Sequence, residues 1–188
     1  IHGMYGIVKQ VTGPSRLRVF FPHEQQYGLD VLESGGDAEI LAQRNLITHT
    51  TGRITSMERL NKEWYEVTFD GDLSQIAVGD LITRTCYPEV LIRNNYFSRI
   101  PTRGILVTTR RKVVIEKNIF FRTPMSAILI SDDARSWYES GPVSDVTIRN
   151  NFFVECGSPV ISIAPENDRP EGAVHRIIRI LANRFALS

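Results

Sequence analysis

The sequence predicts an all-β chain: a small antiparallel β-barrel followed by coils of a right-handed parallel β-helix. Two observations carry this. The second half repeats one motif four times, as "VLIRNNYF" from Val90, "VVIEKNIF" from Val113, "VTIRNNFF" from Val146 and "IRILANRF" from Ile178. The first half instead offers short apolar stretches broken at brief intervals by Gly, Pro and Asp.

Each copy of the motif places an aliphatic residue, an Ile two later, an Asn three after that and a Phe two beyond the Asn. The asparagines are Asn95, Asn118, Asn151 and Asn183, separated by 23, 33 and 32 residues. A further strand follows the first three copies, in "GILVT" from Gly104, "AILIS" from Ala127 and "PVISIA" from Pro159. Short period-2 stretches rich in Ile and Val read as strands. At a period in the low twenties they stack as coils, because one coil alone cannot bury its apolar face while a stack buries a continuous core. The Asn column suits a turn between strands, with amides hydrogen-bonding from coil to coil. Phe97, Phe120, Phe153 and Phe185 form an aromatic column inside. Both columns make the fold rather than the chemistry.

The 23-residue coil is near the minimum, so each of the later two carries about ten extra residues. They lie in "DDARSWYESGPVSD" from Asp132 and "APENDRPEGAVHR" from Ala164. Both insertions follow the same strand of their coil and so share one side, where solenoids build binding faces. The repeat distances place Arg110, Asp133 and Glu166 in one column, and Thr109, Asp132 and Pro165 in the next. Carboxylates one strand spacing apart (~4.8 Å) raise one another's pKa, which favours a protonated general acid. The bland alternative has Asp132 and Asp133 opening a loop and pairing with Arg110, Arg111 or Arg135. Trp137 offers a flat platform for a sugar ring, with Glu139 beside it to accept bonds from hydroxyls; otherwise Trp137 plugs the edge of the core.

In the first half, "YGIVKQVT", "RLRVFFP", "AEILAQ", "TGRITSMERL", "WYEVTFDGDL" and "GDLITRT" read as strands of a small barrel or sandwich. The "DGD" of Asp70 to Asp72 reads as a hairpin turn, with calcium ligation the lesser alternative. A break at Pro88 divides residues 1–86, the barrel, from residues 87–188, the coils. His2, His23, His49 and His175 show no ligand spacing, so no metal is assigned. Cys86 and Cys156 are either buried thiols or one bridge.

The 188 residues carry a net charge of only +1 and are 42% hydrophobic, without the basic excess of a nucleic-acid binder. No run approaches the ~18 apolar residues of a membrane span. Phosphate loops, nucleophile elbows and Cys/His catalytic arrangements are absent from the sequence. The opening "IHGMYGIVKQ" has neither an initiator Met nor a signal peptide, and the chain reads as a piece of a longer protein. Open coil ends would then allow association end to end or with a partner chain.

The run from Arg103 to Phe153, "RGILVTTRRKVVIEKNIFFRTPMSAILISDDARSWYESGPVSDVTIRNNFF", resembles the bacterial exo-α-1,3-galactosidases of glycoside hydrolase family 110. The layout of "GPSRLRVFFPHEQQYGLD" and "VLESGGDAEI" is similar to the small barrel inserted in that family's β-helix. The resemblance implies release of terminal α-1,3-linked galactose, as on B-type blood-group glycans, with inversion, no cofactor, and a secreted or periplasmic location. It makes Asp132 and Asp133 the catalytic carboxylates, while Trp137, Glu139, Arg110 and Glu166, read from the inserted loop and the repeat column, are taken as substrate contacts. Thr109 stands where a third acid would be welcome, which leaves acid and base unassigned. Two other readings stay open. One is a polysaccharide lyase or epimerase, in which Arg110, Arg111 and Lys112 would neutralise a uronate. The other is a non-catalytic glycan-binding fragment.

Overall fold

The computed structural model describes residues 5–22, 32–85, 87–132, 141–165 and 173–186. All six stretches of the first half fold as strands: β1 (Gly6–Gly13), β2 (Arg16–Phe20), β3 (Asp37–Leu41), β4 (Thr48–Arg59), β5 (Trp64–Phe69) and β6 (Leu81–Arg84). They close into a barrel in the order β1-β2-β5-β4-β3-β6, every pair antiparallel. Closing a sheet requires bending, and register shifts at Val8/Gln10, Ile40/Leu41 and Ile54/Ser56 supply it. Inward residues of alternate parity fill the lumen, among them Val8, Leu17, Val19, Ile40, Ile54, Val67, Phe69 and Ile82.

The Asp70–Asp72 segment is not the hairpin turn the sequence suggests. The chain leaves β5 here and next pairs, as β6, with β1 and β3. Each aspartate has a turn duty instead. Asp70 accepts the Arg53 N–H at 2.5 Å, and Asp72 accepts the Ser74 N–H at 2.9 Å. Gly71 packs flat on the Phe69 ring and the Thr51 carbonyl, leaving no room for a Cβ.

Among the described residues, the second half forms eleven short strands: β7 (Val90–Arg93), β8 (Tyr96–Ser98), β9 (Ile105–Val107), β10 (Val113–Glu116), β11 (Ile119–Phe121), β12 (Ile128–Asp132), β13 (Val146–Arg149), β14 (Phe152–Val154), β15 (Ile161–Pro165), β16 (Ile178–Leu181) and β17 (Arg184–Ala186). They assemble into three parallel sheets, β16-β13-β10-β7, β17-β14-β11-β8 and β15-β12-β9. Each repeated motif is therefore two strands with a corner between them. The corner residues Asn94, Lys117, Asn150 and Ala182 all have positive φ, between 50° and 58°. A left-handed conformation costs a non-glycine residue roughly 1–2 kcal/mol, and the neighbouring ladder offsets it. Asn118 donates through Nδ2 to Asn151 Oδ1 at 3.0 Å and to the Ile92 carbonyl at 3.0 Å. Asn95 and Asn151 bond Asn118 and Asn183 in the same way, at 3.1 and 3.0 Å.

The aromatic column is present as well, with ring centroids 4.6, 5.0 and 5.1 Å apart from Phe97 to Phe185. Val113, Ile115, Phe120, Ile128, Ile130, Val146, Ile148 and Phe153 complete the buried core around it. Cys156 is a free, half-buried thiol, while Cys86 lies outside the described residues. On the coil of β16 and β17, Phe185 is 48% exposed where its counterpart Phe153 is fully buried.

Candidate active site

Side chains alternate along β12, so Ile128, Ile130 and Asp132 share the interior face, and all three are buried. Asp132 pairs in register with Pro165 of β15, as the repeat distances require. One coil earlier, Thr109 is engaged in shaping the turn. Its hydroxyl donates to the Pro88 carbonyl at 2.8 Å and accepts the Arg111 N–H at 3.2 Å. A structural threonine thus occupies the position where a third acid would stand.

Arg110 follows directly and reaches across to the barrel. Its Nη1 lies 2.5 Å from Glu39 Oε2 on β3 and 3.3 Å from the Thr48 hydroxyl on β4. Glu39 is 2% exposed and also accepts Thr48 Oγ1 at 2.7 Å and the Tyr87 hydroxyl at 2.5 Å. The guanidinium lies 5.3 Å from the Tyr87 ring centroid, and the Arg110 carbonyl accepts the Ser144 hydroxyl. Burial pushes the Tyr87 phenol well above its ordinary pKa, Arg110 only partly opposing it.

Tyr5 joins the two halves of the cluster. It is buried, its hydroxyl abuts Gly141, and it lies within electrostatic reach of Arg110, Glu39 and Asp132. Burial raises its pKa too, so it stays a neutral phenol near neutral pH. His175 completes the group. Its Nδ1 accepts the Val143 N–H at 3.4 Å, which puts the ring proton on Nε2. That nitrogen is buried with no acceptor among the described residues. Burial lowers the imidazole pKa, and the nearby Asp132 charge pulls it back only in part. His175 is thus a neutral donor beside a carboxylate.

Of the residues singled out from sequence, the structure brings Asp132 and Arg110 into this neighbourhood. Asp133, Trp137, Glu139 and Glu166 lie outside the described residues. Glu39, Tyr87, Tyr5 and His175 were not predicted. Their positions are separated by tens of residues and belong to different elements, so no spacing could reveal them. The one local signal is Glu39 itself, an acid enclosed by Ala38, Ile40 and Leu41. No three His, Cys, Asp or Glu side chains converge as a metal site among the described residues.

Comparison with known proteins fits this architecture. Residues 67–175 match the model for the right-handed beta helix region, more than half of the chain. The chain belongs to the right-handed β-helix family. Residues 16–82, most of the barrel, match the GLAA-B beta-barrel domain II. Relatives of this β-helix chain include Alpha-1,3-galactosidase A of Bacteroides thetaiotaomicron, 43% identical over 98% of the chain and 33% of the relative. Alpha-1,3-galactosidase A of Akkermansia muciniphila is 37% identical over 100% of the chain and 32% of the relative. Alpha-1,3-galactosidase B of Bacteroides thetaiotaomicron is also 37% identical, over 100% of the chain and 32% of its own length. The resemblance read from the sequence holds, and the chain spans about a third of the length of these curated relatives.

Proposed function

We propose that this chain carries part of the active site of an exo-acting glycosidase that removes terminal α-1,3-linked galactose with inversion. The observation that supports the reading is Asp132: a buried carboxylate at the end of a coil strand, where an insertion begins, in a chain that resembles proteins named alpha-1,3-galactosidase throughout. Inversion requires one acid to protonate the leaving oxygen and one base to activate water, with carboxyl groups about 6.5–9.5 Å apart. Asp132 and Asp133 are the pair in this reading. Neighbours on an extended strand point to opposite faces, so they cooperate only if the chain turns or bulges between them.

Trp137 then provides the sugar platform, Glu139 and Glu166 accept bonds from hydroxyls, and Arg110 donates one. No cofactor enters the reaction. The substrate is a glycan ending in α-galactose, met outside the cell or in the periplasm. We place the working division at residues 1–86 for the barrel and 87–188 for the coils. The lyase reading loses support because two of the three basic residues that would meet a uronate already face acids, Arg110 on Glu39 and Arg111 on Glu89 at 3.0 Å.

The test uses full-length protein with p-nitrophenyl α-galactoside and B-trisaccharide, comparing wild type, Asp132→Asn and Asp133→Asn. Wild type should release β-galactose first, seen by NMR before mutarotation. Each substitution should lower kcat about 10²–10⁴-fold, the usual range for general acid–base groups. Absence of released galactose sinks the reading. Ultraviolet-absorbing unsaturated products would favour a lyase, and binding without turnover a glycan-binding role.

A further inference from the structure

Glu39 is a carboxylate buried where two structural units meet, and its three hydrogen-bond donors among the described residues come from three places. Thr48 belongs to the neighbouring barrel strand, Tyr87 to the connection between barrel and coils, and Arg110 to the turn after β9. Removing a carboxylate and a guanidinium from water costs several kcal/mol per ion, and an apolar pair of similar volume would serve stability as well or better. What an ion pair adds is geometry, since the planar guanidinium is fixed by the acid it meets. Arg110 is fixed further, with the Ser144 hydroxyl on its carbonyl and the Tyr87 ring against its guanidinium.

The side chain is not used up by these contacts. Nη1 makes both of the bonds to Glu39 and Thr48, whereas Nη2 is buried and has no acceptor among the described residues. A buried donor left unpaired costs about 1–3 kcal/mol. His175 Nε2 is a second such donor, beside Asp132. Two buried donors without acceptors among the described residues, one beside Asp132 and the other beside Tyr5, which itself lies within electrostatic reach of Asp132, suit a ligand that brings acceptor oxygens.

We propose that the barrel residue Glu39 is a positioning residue for substrate binding, holding Arg110 so that its Nη2 donates to a hydroxyl oxygen of the terminal sugar bound at Asp132. This rests on the glycosidase reading above. It also narrows the substrate. Glu39 neutralises the guanidinium, so the pair presents a donor without net charge, which matches a neutral hexose rather than a uronic acid. The barrel, on this view, forms part of the wall of the site.

A double-mutant cycle in the full-length enzyme tests this, with Glu39→Gln, Arg110→Gln and both together, reading kcat and KM for B-trisaccharide. Arg110→Gln should reduce kcat/KM about 10–100-fold, the worth of a hydrogen bond to a charged group. Glu39→Gln should approach that loss, and the double variant should be no worse than Arg110→Gln alone. Should Glu39→Gln fail to fold, Tyr87→Phe and Thr48→Val replace it, because each removes one bond to Glu39 (Thr48→Val also the Arg110 bond to Thr48) and leaves the ion pair intact. Each should lower kcat/KM severalfold in wild type and have no effect in the Arg110→Gln background. Active wild type with Glu39→Gln, or its two substitutes, within twofold of normal overturns the inference, as do losses that simply add. Wild type that releases no galactose overturns the underlying glycosidase reading, a different and recognisable result.

Discussion

Single residues show how this chain manages charges it has buried. Glu116 points out of β10 between Arg93 one coil before and Arg149 one coil after, at 2.5 and 2.6 Å. The Arg149 hydrogen bond, against some cost of burial and helped by Arg93, holds its carboxyl below the ordinary carboxylate range. A carboxyl whose pKa is lower in the folded chain stabilises the fold above its unfolded value, near 4.3, and that contribution fades as pH falls through the folded value. Glu116→Gln should therefore melt below wild type at pH 7, and the gap should close on acidification below about pH 4. Thermal melts of both proteins across pH 2.5–7 would show it, and a gap independent of pH would refute it.

At the level of elements, the corner between the two strands of each motif carries the argument. Asn151 serves coils on either side, taking Asn118 N–H and Nδ2–H on its carbonyl oxygen and donating to Asn183 and to the Ile115 carbonyl. Asn151→Ala should cost about 3 kcal/mol, several net hydrogen bonds of about 1 kcal/mol plus buried groups left unpaired. Asn95→Ala, at the exposed first coil, should cost clearly less. Urea unfolding of both variants measures the difference, and equal losses would argue against a ladder that works through burial.

That ladder was legible from sequence because its residue type, spacing and neighbours recur. The strands of the barrel were legible too, since apolar runs between turn residues need no long-range knowledge. The closure of the barrel was not, and the Asp70–Asp72 segment shows why. A local Asp-Gly-Asp looks the same whether the next strand folds back beside β5 or crosses to β1 and β3. In the site, Asp132 was legible because it ends a repeated strand. Glu39 and His175 were not, because their partners lie far along the chain and no period links them.

On a larger scale, the described residues join a closed barrel to three parallel sheets of stacked coils. Ile177 and the β16 and β17 residues Ile180, Leu181 and Phe185 are all exposed. Apolar surface gathered on an unpaired sheet end promotes association. The 188-residue chain should self-associate at micromolar concentrations, and Ile180→Lys with Phe185→Lys should shift it toward monomer in analytical ultracentrifugation. A monomer across that range without the substitutions would count against the open face as a contact surface.

β12 is the central strand of its sheet, bonded to β9 on one side and β15 on the other. Stacked repeats lose structure from their ends, each coil exchanging its amides before the one beneath it. β12, paired along both edges, opens only when both ladders to β9 and β15 break. The carboxylate at the centre of the proposed chemistry is thus carried by a strand anchored along both of its edges.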